Sequence, residues 1–217
     1  MTMDDLKLNT DQLIRAMAAD AGSAARFGLS TTLLLWGIAA AALSFILLTG
    51  TAGVRPDFIA ALKNGPIPFK LAVTLSLTAS AFFLVRRAAR PEDAPQVLPY
   101  AIPPIVVVVG GILFELVVTR IDTQNLTGRT PFDCVALVAL YSVCPLVAAF
   151  VALRRSAARS PAIAGVAAGL FAAGIGSSIY ALHCPNDDAV FVALWYGTAI
   201  VLVAVIGALA GRRLLDW

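Results

Sequence analysis

Charged residues are scarce in this chain. Lys, Arg, Asp and Glu make up 13% of its 217 residues, hydrophobic residues make up 59%, and the mean hydropathy is +0.86. A soluble domain carries about 25% charged and about 45–50% apolar residues. One soluble core cannot bury this much apolar surface, so the composition excludes an ordinary soluble protein and indicates that lipid surrounds most of the chain.

Residues that typically carry catalysis or bind metals are also few. The chain has one histidine and three cysteines, and it contains neither a Cys-x-x-Cys pair nor a His-Glu-x-x-His motif. Its net charge of +3 is not organised into a basic stripe with interleaved aromatic residues. No segment outside the apolar runs has room for an enzyme domain. We therefore predict that the protein is not an enzyme, has no resident cofactor and does not bind nucleic acid directly.

What the sequence does contain is a series of apolar runs of about 20 residues, the length at which a helix crosses a hydrocarbon core about 30 Å thick. The runs lack the alternation typical of barrel strands, so helices are the expected way to pair the backbone in lipid. We predict an all-α, polytopic membrane protein with about six transmembrane helices. The predicted spans are residues 30–49, 67–85, 98–118, 132–153, 162–182 and 189–210.

The basic residues predict how the chain is oriented. Residues 1–29 form a polar head before the first span, and residues 30–217 form the membrane domain. Eleven of the sixteen basic residues lie in the head or in alternate loops, and five lie on the other side. Because basic residues are retained in the cytoplasm, both termini are predicted to be cytoplasmic. The pairs that mark cytoplasmic ends are Arg86-Arg87, Arg154-Arg155 and Arg212-Arg213.

The head contains a predicted amphipathic helix, which Thr10 can begin as N-cap and Gly22 can end. Leu13, Ile14 and Met17 form its apolar stripe. Helices that lie on a membrane usually carry Lys and Arg on the polar face, whereas this segment begins with acidic residues. The pattern favours a helix that docks in the groove of a protein partner. The predicted partner-binding residues are Leu13, Ile14, Arg15 and Met17.

One carboxylate, Glu115, lies well inside a predicted span. Its position near the end of that span favours an interfacial residue, although an ionisable group in a span is also a candidate functional group. Pro103, Pro104 and Pro145 are predicted to kink their helices. Together these features permit an alternative class, a small membrane transporter or channel.

Small residues recur four positions apart in the last two spans. Gly165, Gly169 and Ala173 form one row, and Gly207 and Gly211 form another. Rows of this kind let two helix backbones approach closely in a membrane. We predict that they pack helices together.

The cysteines supply the remaining chemistry. Cys134 and Cys184 are predicted at the periplasmic ends of consecutive helices, whereas Cys144, about 15 Å further along its helix, is too distant for a disulfide and is predicted to be a small buried hydrophobe. His183 and Asp187 flank Cys184, so sulfur, nitrogen and oxygen ligands for a heavy metal or zinc ion are available. A metal site, a reversible disulfide and a structural disulfide all remain open, as does a membrane thiol oxidoreductase.

Three stretches resemble a known family. They are residues 11–20 (DQLIRAMAAD), residues 180–185 (YALHCP) and residues 211–217 (GRRLLDW). The chain resembles the NrsF-type negative regulators of extracytoplasmic-function sigma factors from residue 11 to residue 217. In that family, six helices in the bacterial inner membrane hold a cytoplasmic head that sequesters the sigma factor.

The resemblance also implies a signal. Two cysteines on the periplasmic side of the family are associated with sensing heavy-metal or oxidative stress, and Cys134 and Cys184 match them. The expected function is therefore that of an anti-sigma factor in the inner membrane, acting in transcription regulation and the stress response. Its expected partners are an extracytoplasmic-function sigma factor and membrane lipid.

Overall fold

A computed structural model of the chain describes residues 12–15, 17, 28–63, 66–91, 96–118, 131–154, 156 and 158–215. Within these ranges all regular secondary structure is helical and no strand occurs. The all-α prediction is therefore confirmed. The caps predicted at Thr10 and Gly22 lie outside the described residues.

The described residues after the head form seven helices. They are α1 (Leu29–Thr51), α2 (Phe58–Lys63), α3 (Pro66–Ala88), α4 (Leu98–Val118), α5 (Pro131–Leu153), α6 (Pro161–Tyr180) and α7 (Ala189–Leu214). A π-helical turn, Val192–Tyr196, interrupts α7. Proline opens α3, α5 and α6, where its fixed φ suits a first turn and its missing N–H removes no helical hydrogen bond.

In the part of the chain that the structure describes, five helices are long and apolar enough to cross a membrane, namely α1, α3, α5, α6 and α7. Helix α4 has 21 residues, and its apolar part, Leu98–Phe114, is shorter than the five long helices. These apolar helices indicate a membrane protein, while the count of six spans stays a prediction. Pro103, Pro104 and Pro145 lie inside continuous helices. The side chain of Glu115 lies outside the part that the structure describes.

Helix α6 lies at the centre of the bundle and packs against α3, α5 and α7. Its span is 67% buried, compared with 28% for α1 at the periphery. A Cβ atom added at Gly165 would collide with the carbonyl oxygen of Gly207, and one added at Gly169 would lie 2.7 Å from Cα of Ala204. The small residues thus allow α6 and α7 to touch backbone to backbone, as their spacing predicts.

The bundle has two distinct ends. At one end, which we call the thiol end, α1 and α6 finish and α3, α5 and α7 begin. The N–H of Arg55 donates to the carbonyl of Leu182 (3.1 Å) there and joins the loop after α1 to the loop after α6. The opposite end carries most of the described arginines, which are Arg86, Arg87, Arg90, Arg154, Arg159, Arg212 and Arg213.

Candidate functional site

The structure brings two of the three cysteines together at the thiol end. Cys134 lies in the first turn of α5, and Cys184 lies in the loop after α6; both are free thiols with no exposed surface. The side chain of Tyr180, the last residue of α6, lies beside both thiols. Cys144 is elsewhere, in a groove between α1 and α5, and is partly exposed rather than buried.

Aromatic rings enclose the thiol pair. The ring of Tyr180 packs against Tyr196 (5.7 Å between centroids) and against His183 (5.9 Å). Tyr196 is buried and closes the π-helical turn of α7, a distortion that frequently occurs at functional sites. A metal ion or an oxidant therefore reaches these sulfur atoms only if the surrounding loop moves.

Four charged side chains form an ionic cluster beside the thiols. Nζ of Lys70 donates to Oδ1 of Asp187 (2.7 Å), and Nη1 of Arg55 donates to the same oxygen (2.9 Å). Arg55 also forms a two-point ion pair with Asp57 (2.7 Å for both bonds). The cluster comprises two cations and two carboxylates, so its charges balance.

The cluster also holds the backbone of Cys184. The carbonyl oxygen of Cys184 accepts hydrogen bonds from Nζ of Lys70 (3.0 Å) and from Nη1 of Arg55 (3.2 Å). The side chain of Lys70 is fully buried, which is unfavourable for a cation unless it is paired. Both donors therefore bind the loop that carries the thiol.

Hydrogen bonding fixes the charge of the loop residues Arg55 and Asp57. The bonds to Asp57 and Asp187 raise the pKa of Arg55 above its usual range. The bond from Arg55 lowers the pKa of Asp57. This pair is therefore ionised at neutral pH.

The remaining predicted ligands make other contacts. Nδ1 of His183 lies 2.9 Å from the carbonyl oxygen of Gly53, and the carboxylate of Asp187 binds Arg55 and Lys70. Over the described ranges, no three His, Cys, Asp or Glu side chains are placed to hold a metal ion together.

Sequence reasoning missed the cations of this site. Lys70 lies inside an apolar run, and an ionisable residue there is a candidate functional group in its own right. Lys70 is one of the five basic residues assigned above to the less basic side, although it lies within the predicted span of residues 67–85. Arg55 carries no such signal, because Asp187 lies 132 residues away in sequence.

The head residues that are predicted to bind a partner are helical in the structure. Leu13, Ile14, Arg15 and Met17 are all exposed, and the apolar side chains retain 46%, 57% and 66% of their accessible surface for Leu13, Ile14 and Met17 respectively. Large apolar side chains on an exposed helical stretch are available to contact a partner.

The fold and the site together define a class, a small helical protein with several apolar helices of membrane-spanning length and a thiol pair at one end of the bundle. The chain belongs to the NrsF family, because residues 17–217 match the family model described as "Negative regulator of sigma F". The family resemblance of the sequence is thereby confirmed.

Two relatives match over nearly their whole length. The chain is 31% identical over 219 residues to the "Probable anti-sigma-F factor NrsF" of Azospira oryzae, and 32% identical over 217 residues to the "Anti-sigma-F factor NrsF" of Caulobacter vibrioides. Each comparison covers 97% of this chain and 100% of the relative. No solved structure matches the chain.

Proposed function

We propose that this chain is an inner-membrane anti-sigma factor, which sequesters an extracytoplasmic-function sigma factor and releases it when the periplasmic thiol pair reacts. The observation that carries the proposal is the near full-length similarity to two proteins named as anti-sigma-F factors. In this function the protein acts by binding and not by catalysis. Both termini and the opposite end of the bundle face the cytoplasm, in agreement with the basic residues there.

The exposed head supplies the contact with the sigma factor. Leu13, Ile14 and Met17 are each helical and exposed, and a groove that accepts an amphipathic helix buries such side chains. Burial of one large apolar side chain contributes about 1.5–3 kcal/mol, so three of them supply a substantial part of a tight complex. Arg15 adds a charge that can pair with an acidic residue of the partner.

The thiol pair supplies the signal. A soft metal ion can bind the sulfur atoms of Cys134 and Cys184 as their protons leave, because soft ligands select soft metals. Alternatively, an oxidant accepts two electrons while the thiols lose two protons and join as a disulfide. Either reaction changes the contact between the start of α5 and the end of α6. Rigid helices then carry the displacement across the membrane.

Co-purification tests the proposal. The full-length protein is extracted in detergent from cells that express it with a candidate sigma factor, and the sigma factor is expected to be retained on the affinity-tagged protein. Retention should fall when the thiols are treated with Cd²⁺ or a thiol oxidant before extraction. A parent protein that retains none of the extracytoplasmic-function sigma factors of its genome would refute the proposal.

A further inference from the structure

The ionic cluster joins three segments that are distant in sequence. Arg55 belongs to the loop after α1, Lys70 lies near the start of α3, and Asp187 lies in the loop between α6 and α7. Residues 184–188 of that last loop adopt no regular secondary structure. The N–H of Cys184 donates to the carbonyl of Tyr180 (3.0 Å) at the end of α6, whereas Asp187 is held by side-chain bonds to Arg55 and Lys70.

We propose that Arg55, Lys70 and Asp187 form an ionic latch that holds the Cys184 loop closed over the thiol pair, and that opening this latch couples the thiols to α3. The latch residues are positioning residues, since they act on the loop and not on the reagent. The coupling step rests on the proposed function, whereas the closing of the loop does not.

The geometry of Cys184 supports the first part. Its carbonyl oxygen is bound by Lys70 and Arg55, and the same two cations bind Asp187, three residues further along the loop. The loop is thus held at two points by one pair of cations. Release of Asp187 removes one of these two points and leaves Cys184 held by its carbonyl and by its N–H, which donates to the carbonyl of Tyr180 (3.0 Å).

The different exposure of Lys70 and Asp187 indicates that both side chains move when the loop opens. The Lys70 side chain is fully buried, whereas 31% of the Asp187 side chain is exposed. Departure of Asp187 would leave a buried cation with one partner, a carbonyl oxygen, and an unpaired buried charge is strongly unfavourable. Lys70 is therefore expected to move when the loop opens.

Movement of Lys70 would be transmitted along α3. The carbonyl oxygen of Lys70 accepts a hydrogen bond from Thr74 (3.0 Å), and Oγ of Ser178 on α6 lies 2.9 Å from the same Thr74 hydroxyl. Thr78 in turn donates to the carbonyl of Thr74 (2.8 Å). This polar seam joins the latch to the interface between α3 and α6, and α3 ends at the opposite end of the bundle.

Cysteine labelling in membranes tests the latch without any sigma factor. The full-length protein is exposed to N-ethylmaleimide, and the rate at each cysteine is measured by mass spectrometry. Asp187→Asn should raise the rate at Cys184 by about tenfold or more, the change expected when charge-assisted hydrogen bonds are lost. Cys144, in its separate groove, serves as the internal reference.

The neighbouring carboxylate provides a matched control. Asp188 is the N-cap residue of α7, and its side chain makes no capping hydrogen bond. Asp188→Asn should leave the rate at Cys184 within about twofold of the parent. The conservative variant Asp187→Glu should restore slow labelling. Should Asp187→Asn not accumulate, Arg55→Gln keeps the pair between Lys70 and Asp187 and should raise the rate by a few fold.

The outcomes separate the latch from the proposed function. The latch would be overturned if Cys184 is labelled at equal rates in Asp187→Asn and Asp188→Asn. Where Asp187→Asn does not accumulate, equal rates in Arg55→Gln and Asp188→Asn would overturn it. Fast labelling in a protein that binds no sigma factor would refute the proposed function and leave the latch intact. Where the parent does repress, Asp187→Asn should also raise expression of the target genes without stress. Fast labelling with full repression would overturn the coupling to α3.

Discussion

The two ends of the bundle are held together by different interactions. At the thiol end, charged side chains join loops that have little regular structure, and aromatic rings cover two thiols. At the opposite end, α6 and α7 touch through glycines, with Gly165 against Gly207 and Gly211. Polar contacts can exchange partners or open to water, whereas helices packed backbone to backbone have little room to shift. The thiol end is therefore the adjustable end, and α6 with α7 forms the rigid part.

The largest effect is expected at the head. Leu13→Asp combined with Met17→Asp should weaken sigma-factor binding by several tenfold steps, because each buried apolar side chain contributes about 1.5–3 kcal/mol. Binding to the full-length protein in detergent checks this. Gln12→Asp adds a charge on the same exposed stretch outside the apolar stripe and should bind like the parent. Tight binding by the double variant would remove the head from the interface.

The next largest effect should come from breaking the rigid end. Gly165→Val places side-chain atoms where the carbonyl of Gly207 lies, so α6 and α7 must separate. Overpacking of this kind costs about 1–3 kcal/mol or more, and the variant should unfold in detergent at a markedly lower temperature. Gly110→Ala, with open space around the added Cβ, is the control and should not unfold earlier. Equal unfolding temperatures would contradict the tight contact between α6 and α7.

A smaller effect distinguishes the cations of the two ends. Lys70→Met should cost about 1–3 kcal/mol, because it removes charge-assisted bonds to Asp187 and to the carbonyl of Cys184. Arg87→Gln alters an exposed residue at the opposite end and should change stability by no more than about 0.5 kcal/mol. Thermal unfolding of both variants in the same detergent measures the difference. Similar losses of stability in Lys70→Met and Arg87→Gln would show that the ionic cluster does not stabilise the thiol end.

The smallest effect is expected from the exposed edge of the cluster. Asp57→Asn should destabilise the protein less than Asp187→Asn, because exposed ion pairs contribute little. Arg55 lowers the pKa of Asp57, so the contribution of this pair is present above the usual Asp range and is lost only as the pH falls through that lower value. Unfolding curves at neutral pH compare the two variants. A larger loss of stability for Asp57→Asn than for Asp187→Asn would contradict the view that Asp187, which binds both cations, is the more important carboxylate of the cluster.

Sequence patterns predicted the long elements better than the site. The fifth predicted span, residues 162–182, corresponds to α6 (Pro161–Tyr180), since length and hydropathy are enough to define a membrane helix. Helix α2 (Phe58–Lys63) was not predicted, because six residues are too few to form a recognisable run. Topology alone placed Cys134 and Cys184 at the same end.

The contacts around the thiols could not be predicted in the same way. The bond from Arg55 to Asp187 joins residues that share no local pattern, and only the packing of α3 against α6 brings Lys70 to the Cys184 loop. Lys70 is grouped with the basic residues that flank the spans, because a single charge near the end of a span resembles an interfacial residue. Its complete burial depends on neighbours that hydropathy does not specify.

In the proposed mechanism, the thiol end controls the affinity of the head for the sigma factor. The most direct measurement is the Kd of the sigma factor for the full-length protein in lipid nanodiscs, with and without Cd²⁺ or a thiol oxidant. We expect either treatment to raise the Kd by about 10²-fold or more in the parent and in Cys144→Ser, and not in Cys134→Ser or Cys184→Ser. An unchanged Kd in the parent, or the same increase in both single variants, would contradict the account.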